Sequence, residues 1–302
     1  MQPRNVLVPL DGSRLAERSL VYVQALSRFG SLSVTLLSVI DDNEDVRIAA
    51  GKEAMERERN VLTTYLREIA TDMHRHLNVE VTTEVLEGPP AELVLARCGV
   101  SRPDLLIVST HGRSGLARWR VGSVADKLIR GAACATLVVG PHAGDKEGWL
   151  EAGAKQPFKR ILAPLDGSEL AEAALETAQD YARQFASELH LVRVINLQQA
   201  YGGGMIMETG YAPQLIDTLR DAAKEYLDDA ARRVQAPAGV RTSILAGSPA
   251  ASLEEYIETN GIDLVVMSTH GRGGIVRAAL GSVTDRLLGG PAPVLVVRPG
   301  IA

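Results

Sequence analysis

The chain contains its own near-copy. Pro9-Leu-Asp-Gly-Ser13, followed by Leu15-Ala-Glu17, returns 155 residues later as Pro164-Leu-Asp-Gly-Ser168 and Leu170-Ala-Glu172. Asp104-Leu-Leu-Ile-Val-Ser-Thr-His-Gly-Arg113 returns 159 residues later as Asp263-Leu-Val-Val-Met-Ser-Thr-His-Gly-Arg272. A period of this length is the size of a domain, far above the 20 to 50 residues of a solenoid unit. The 302 residues therefore divide into two copies of one fold. We read domains over residues 1–141 and 158–302, joined by a linker over 142–157, where Gly, Asp, Lys, Glu and Ala mix without apolar periodicity. The two offsets differ by four, a net insertion in the second copy that the glycine-rich stretch 201–213 would accommodate.

Within each copy, short β-branched or Leu-rich runs alternate with longer helix-period segments, the pattern of βαβ units and a parallel sheet. Strands are predicted near 4–10, 33–40, 79–86, 104–109 and 135–140, with helices near 14–29, 51–76, 90–101 and 121–133. The second copy repeats the order, with strands near 159–165, 188–195, 239–246, 263–268 and 293–298. Leu62, Tyr65, Leu66, Ile69, Met73 and Leu77 form one apolar stripe at helical spacing, the face that packs on a sheet. The expected fold class is α/β: two tandem doubly wound five-stranded parallel-sheet domains, each with strand order 3-2-1-4-5. Such sheets bind ligands outside the carboxyl ends of their strands, where the order reverses. That point lies between the first and fourth strands, and both repeated motifs end there.

The fourth-strand motif is Ser109-Thr-His111-Gly112, then nine residues, then Gly122-Ser123-Val124 opening a helix. The second copy keeps the spacing in Ser268-Thr-His270-Gly271 and Gly281-Ser282-Val283. Glycines leave backbone N–H groups uncovered, and a helix start offers unpaired donors with a dipole that favours an anion. The combination reads as a phosphate cradle, with Arg113, Arg118, Arg120, Arg272 and Arg277 adding positive charge around it. A large cation at Gly122 or Gly281 is expected to fill the anion's space and leave the fold intact. The plainer reading is a turn with a helix cap. Asp11 and Asp166 divide the same way: carboxylates for a ribose or a magnesium ion, or Asx turns with Ser13 and Ser168 capping the next helix. Glu17 and Glu172 read as solvated. His111 and His270 lie in glycine loops with no nucleophile and orienting acid arranged beside them, so no catalytic role is assigned. His74 and His76 read as a polar helix face.

Composition closes off several alternatives. With 32 Lys+Arg against 37 Asp+Glu, the net charge of -5 lacks the basic excess of a nucleic-acid binder, and 4% aromatics provide few stacking platforms. Cys98 and Cys134, the only two cysteines, form no CxxC pair and read as small buried hydrophobes. No apolar run approaches the roughly 18 residues of a membrane span, and no signal-peptide core precedes the first strand. A cytoplasmic protein is expected, with neither nucleic acid nor membrane as partner. There is no Walker A ending, no dinucleotide fingerprint after the first strand and no Ser-Gly-Gly loop of the ATP pyrophosphatase kind.

On these motifs both halves resemble universal stress protein domains. The family's nucleotide-binding members carry Gly-x-x-Gly, nine residues, then Gly-Ser/Thr. Here the pattern maps onto Ser109, Gly112, Gly122 and Ser123, and onto Ser268, Gly271, Gly281 and Ser282, with serine in place of the first glycine in each half. The resemblance implies a HUP-like, adenine nucleotide alpha hydrolase-like fold that binds ATP, ADP or AMP, with Mg2+ as companion ion. It implies that Asp11 and Asp166, next to Pro9 and Pro164, meet the ribose and phosphate region. The backbone at Val39 and Val194 would read adenine, and the glycine loops through Val124 and Val283 would hold phosphates. It further implies association through the fifth strands, Thr136-Leu-Val-Val139 and Val294-Leu-Val-Val297, as an intramolecular pseudo-dimer or a homodimer. The expected role is a stress-response or signalling module; the alternatives are a slow ATPase of the same fold and a structural stress protein without ligand.

Overall fold

A computed structural model describes residues 3–41, 44–110, 121–143, 149–150, 158–196, 212–268 and 281–298. The chain divides into two compact units, one over residues 2–157 and one over 158–300.

The first unit runs β1 (Asn5–Pro9), α1 (Arg14–Glu17), α2 (Ser19–Ser27), β2 (Leu32–Ile40), α3 (Glu44–His76), β3 (Val79–Glu87), α4 (Pro90–Ser101), β4 (Leu105–Ser109), α5 (Ser123–Gly131), β5 (Ala135–Val139). Its strands pair in parallel in the order β3-β2-β1-β4-β5. The second unit runs β6 (Arg160–Pro164), α6 (Glu169–Phe185), β7 (Glu188–Ile195), α7 (Ala212–Arg233), β8 (Val240–Ala246), α8 (Pro249–Asn260), β9 (Leu264–Ser268), α9 (Ser282–Leu287), β10 (Val294–Val297). Its order is β8-β7-β6-β9-β10, again parallel. Each sheet thus has the 3-2-1-4-5 order, with the reversal between its first and fourth strands.

The centre of each sheet is apolar on both faces, as helix-covered parallel strands require. Val6, Leu7 and Val8 of β1 and Leu105 to Val108 of β4 are buried, as are Ile161 to Ala163 of β6 and Leu264 to Met267 of β9. The outer strand β3 carries Glu and Thr on its open positions, which discourages pairing with another chain. Leu62, Leu66, Ile69 and Met73 of α3 face the sheet as their spacing requires. In the second unit Phe158 is fully buried against Phe185 and Tyr181, with ring centroids 4.8 and 6.2 Å away.

The first letter of each long motif is a lock at the amino end of the sheet. Asp104 Oδ2 accepts from the N–H groups of Arg4 and Asn5 at 2.8 and 2.9 Å. Asp263 Oδ2 accepts from those of Lys159 and Arg160, both at 2.9 Å. Each carboxylate joins the start of the fourth strand to the start of the first, at the opposite end from the crevice.

Register places the insertion. Leu36 pairs with Thr83 and Leu191 with Thr242, so the offset is already 155 in the second strand and becomes 159 in the third. The four residues enter between β7 and β8, the interval that contains 201–213. Three sequence expectations are corrected. The helix expected over 14–29 breaks at Arg18, where Arg18 N–H bonds Leu15 O and Val21 N–H bonds Arg18 O, both at 3.3 Å. These tight i to i+3 bonds turn the chain while the Arg18 guanidinium reaches Pro141 O at 2.6 Å. The helix expected from 51 begins at Glu44, and the loop expected through 213 gives way to α7 at Ala212, where the glycine-rich stretch was read as loop beyond the point at which the helix starts.

Candidate functional site

The turn after the first strand is built alike in both units. Ser13 N–H donates to Asp11 Oδ1 at 3.0 Å, and Ser13 Oγ accepts from Ala16 N–H at 3.1 Å to cap α1. Ser168 N–H donates to Asp166 Oδ1 at 2.9 Å, and Ser168 Oγ accepts from Ala171 N–H at 3.1 Å to cap α6. The intervening Gly12 and Gly167 have φ of +83° and +88°, the left-handed region that penalises any Cβ. The plain reading of Asp-Gly-Ser as an Asx turn with a cap is therefore realised. It does not displace the other reading, because a carboxylate offers about four acceptor positions and the turn uses one.

At the end of the fourth strand the chain leaves and returns to the same place. Thr110 N–H donates to Val139 O at 3.0 Å, and Thr110 O accepts from Gly122 N–H at 2.7 Å. Gly122 is the N-cap of α5 in extended conformation and supplies no side-chain cap; Gly281 stands in the same position at α9. A Cβ built on Gly122 would lie 2.9 Å from Thr110 O, so the glycine is there for space, its φ of −61° being open to any residue. This corrects the expectation that arginine at 122 spares the fold: any side chain presses on the Thr110 carbonyl before it reaches a ligand. Ser123 and Ser282 are exposed, Val124 is exposed and Val283 half-buried. His111, Gly112, Arg113, Arg118, Arg120, His270, Gly271, Arg272 and Arg277 lie outside the described residues.

The end of the second strand faces the same region through its backbone. Along a strand, successive residues turn their N–H and C=O to alternate sides. Leu37 O accepts from Leu10 N–H at 2.8 Å, whereas Ile40 O accepts from Gly88 N–H at 3.0 Å. Leu37 thus faces β1 and Ile40 faces β3. Val39 shares the parity of Leu37, and the β1–β2 ladder stops at Pro9 and Leu37, so the main-chain groups of Val39 point past the end of β1 toward the Asp11 turn. Leu165 N–H to Val192 O at 2.8 Å and Gly247 N–H to Ile195 O at 3.0 Å put Val194 in the same attitude. Pro9 and Pro164, the last residues of their strands, border this opening.

The serine that replaces the family's first glycine has a job of its own in the second unit. Ser268 Oγ donates to Leu170 O, tying the end of β9 to the first turn of α6. Its side chain is directed at a helix.

Several groups escaped sequence reasoning. Glu172 is not simply solvated: Arg233 Nη1 donates to its Oε2 at 2.7 Å and Tyr226 Oη to its Oε1 at 2.6 Å. Arg233 holds the Glu172 carboxyl below the usual glutamate range. Ser38 is buried with Oγ donating to Leu10 O at 2.7 Å, and its counterpart 155 residues on is Arg193, stacked over Tyr226. Cys98 and Cys134 are both buried, but the fold brings them together, and the neighbouring Cys134 thiol is the first cause pushing the Cys98 thiol up, ahead of burial. None of these contacts is periodic or a motif; only the substitution of arginine for serine between copies carried a signal. His74 and His76 are exposed on α3. Among the described residues no helix is long and apolar enough to cross a membrane.

Comparison with known proteins places this geometry among relatives. The universal stress protein family matches residues 3–140 and 157–298. Universal stress protein MJ0531 of Methanocaldococcus jannaschii is 29% identical over 143 residues, 47% of this chain and 82% of that protein. Universal stress protein Rv2005c of Mycobacterium tuberculosis is 29% identical over 203 residues, 65% of this chain and 62% of that protein. The crystal structure of a universal stress protein from Archaeoglobus fulgidus superposes with a TM-score of 0.67 at 18% identity, covering 99% of this chain and all of that one, a likeness of fold.

Proposed function

The chain belongs to the universal stress protein family over both halves, and from that premise we propose that each half binds an adenine nucleotide, ATP foremost, at the carboxyl ends of its first and fourth strands. The observation that carries the reading is the seam between β4 and α5. Gly122 is held 2.7 Å from Thr110 O, too close for a Cβ, and leaves the first turn of a nine-residue helix without a side-chain cap. Free helix N–H groups next to an aspartate turn, at the reversal point of a doubly wound sheet, form an anion site of the kind nucleotides use.

In this reading the main chain of Val39 and Val194 addresses the adenine edge. Asp11 and Asp166 accept from ribose hydroxyls with the acceptor capacity left over from their turns. Gly122, Ser123 and Val124, with Ser109, His111, Gly112 and Arg113 before them, surround the phosphates; Gly281, Ser282, Val283, Ser268, His270, Gly271 and Arg272 do so in the second half. Mg2+ accompanying the phosphates has Asp11 and Asp166 as its carboxylates. The protein then works as a nucleotide-responsive module in a stress or signalling response, in the cytoplasm, rather than as an enzyme.

The test is direct. Protein purified without denaturant is unfolded, and the released small molecules are identified by mass spectrometry. ATP or ADP at about two per chain is the expected result; a preparation with no nucleotide that also takes up none in titration sinks the reading.

A further inference from the structure

Beside the site the halves differ where Ser38 of the first answers to Arg193 of the second, and again where Asp41 answers to Asn196. In the first, Ser38 is small and buried, and its hydroxyl is used up on Leu10 O at 2.7 Å. In the second, the equivalent Arg193 places its guanidinium carbon 4.8 Å from the centre of the Tyr226 ring. Its Nη1 and Nη2 both come to 3.5 Å from the point where a side chain on Gly167 would begin. Gly167 follows Asp166 in the turn that closes β6, so a cation carried by β7 stands beside the Asp166 turn.

That cation is half-buried, and among the described residues no carboxylate lies within ion-pair distance of it. Glu172, the acid one would expect to serve it, is committed to Arg233 at 2.7 and 3.1 Å and to Tyr226 at 2.6 Å. The same commitments fix the ring on which Arg193 rests: Arg233 holds Glu172, Glu172 holds Tyr226, and Tyr226 supports the guanidinium. An arginine removed in part from water, resting on a ring and with none of its five N–H donors bonded among the described residues, is prepared for an anion that offers two oxygens side by side, and phosphate fits that fork.

We propose that Arg193 is a phosphate-binding residue that only the second half possesses, so that the two nucleotide sites are unequal and the second holds phosphate-bearing adenine nucleotides more tightly. The proposal rests on the nucleotide reading above for the identity of the base, but its anion chemistry stands on Arg193 itself. The ligand class is an adenine nucleotide whose phosphate reaches the ribose side of the site, from the 5′ chain or from the ribose itself.

Calorimetric titration of the full chain with adenosine, AMP, ATP and adenosine 3′,5′-bisphosphate tests it, comparing the natural protein with R193S and R193K. The expected result is two classes of ATP site, of which R193S weakens one by ~10- to 100-fold, the range for losing charge-assisted hydrogen bonds. Adenosine, without phosphate, binds R193S as it binds the natural protein, and R193K, with charge but no fork, falls between. Loss on ATP traces the phosphate to the 5′ chain; loss confined to the bisphosphate traces it to the ribose; either supports the proposal. Equal loss on adenosine and ATP means that Arg193 only supports Tyr226, and unchanged binding means that it does nothing; either overturns the proposal. A second arm uses pyrophosphate alone and follows the arginine Nε–Hε resonance that R193S removes. If pyrophosphate moves that resonance while no adenine compound binds better than pyrophosphate, the phosphate role stands and the adenine reading falls. If ATP fills two sites that R193S leaves alike, the adenine reading stands and the role of Arg193 falls.

Discussion

Replacing Gly122 by alanine isolates the close approach on which the site depends. The added Cβ would lie 2.9 Å from Thr110 O, the same carbonyl that accepts from Gly122 N–H at 2.7 Å. Backing away from the methyl group lengthens that hydrogen bond, so the two costs are one movement. Overpacking of this kind costs about 1–3 kcal/mol. Gly122 has φ −61° and ψ 153°, which alanine adopts freely; replacing glycine there therefore also returns about 0.4–1 kcal/mol through the unfolded chain. The net loss is about 1–2 kcal/mol, or roughly 2–8 °C in the melting of a unit of this size. Differential scanning calorimetry should show this in the transition of the first unit only, analysed as one of two because the chain is not a single cooperative block. In the same variant the nucleotide site of the first half should weaken while that of the second is unchanged. Asparagine separates close approach from backbone conformation. At Gly12, whose φ is +83°, asparagine should be milder than alanine because it tolerates the left-handed region; at Gly122 it should be no milder. A G122A protein that melts at the natural temperature or above would refute the argument, since it would mean that α5 is not pinned to the end of β4.

Two further outcomes concern the second unit. Burial holds His190 below the ordinary histidine value, against the opposing pull of Glu188, whose Oε2 is 3.1 Å from Nε2. The folded form keeps the ring neutral while the unfolded chain takes up a proton below about pH 6.5, so stability is full above that value and falls as the pH drops through it. Urea titrations at about pH 7.5 and about pH 5.5 should show the loss in the second unit. H190T, which installs the residue found at Thr35 in the first copy, should be less stable overall yet lose that part of the slope; a slope it leaves unchanged assigns the acid sensitivity to another group. Phe158 is fully buried between Phe185 and Tyr181, and F158A should cost about 3–5 kcal/mol. Calorimetry should place that loss in the second transition alone, and a drop below about 1 kcal/mol would show that the ring is not part of a packed core.

Most strand limits were legible to within a residue because a buried parallel strand is a short apolar run between turn residues, and few other structures look like that. Strand order followed from winding the chain one way from the first strand and then back across it, and the two repeated motifs fell independently at the ends of the first and fourth strands. Helix limits were less legible. The break at Arg18 depends on a guanidinium reaching Pro141 O, 123 residues away, which no local pattern encodes. The same limit applies to the site. Asp11, Asp166, Gly122 and Gly281 stood out because turn chemistry and glycine requirements are local. The partnership of Glu172 with Tyr226 and Arg233 joins residues 54 and 61 apart in sequence, and the meeting of Cys98 with Cys134 likewise exists only once α4 is packed beside the turn that leads into β5. Long-range polar contacts have no period to betray them.

Repetition is itself an ambiguous witness, since duplication copies braces and binding sites alike. The decapeptide that begins at Asp104 and at Asp263 carries both: its aspartate locks two strands together at the amino end, while its last residues lead into the loop at the carboxyl end. Identity between halves cannot separate those roles, but the positions where the halves part company can. Ser38 and Arg193 occupy one place in one fold, and the serine satisfies itself on Leu10 O, whereas the arginine stands over a ring with its natural acid engaged by Arg233. Apart from the Tyr226 ring beneath it, that arginine has no ion-pair partner among the described residues, which leaves its N–H groups for a ligand. The chain's net charge of -5 sharpens the point. If backbone N–H groups at the two helix starts supply the field for phosphate, as they can without any basic surface, then a single half-buried guanidinium is enough to make one copy of the site differ from the other.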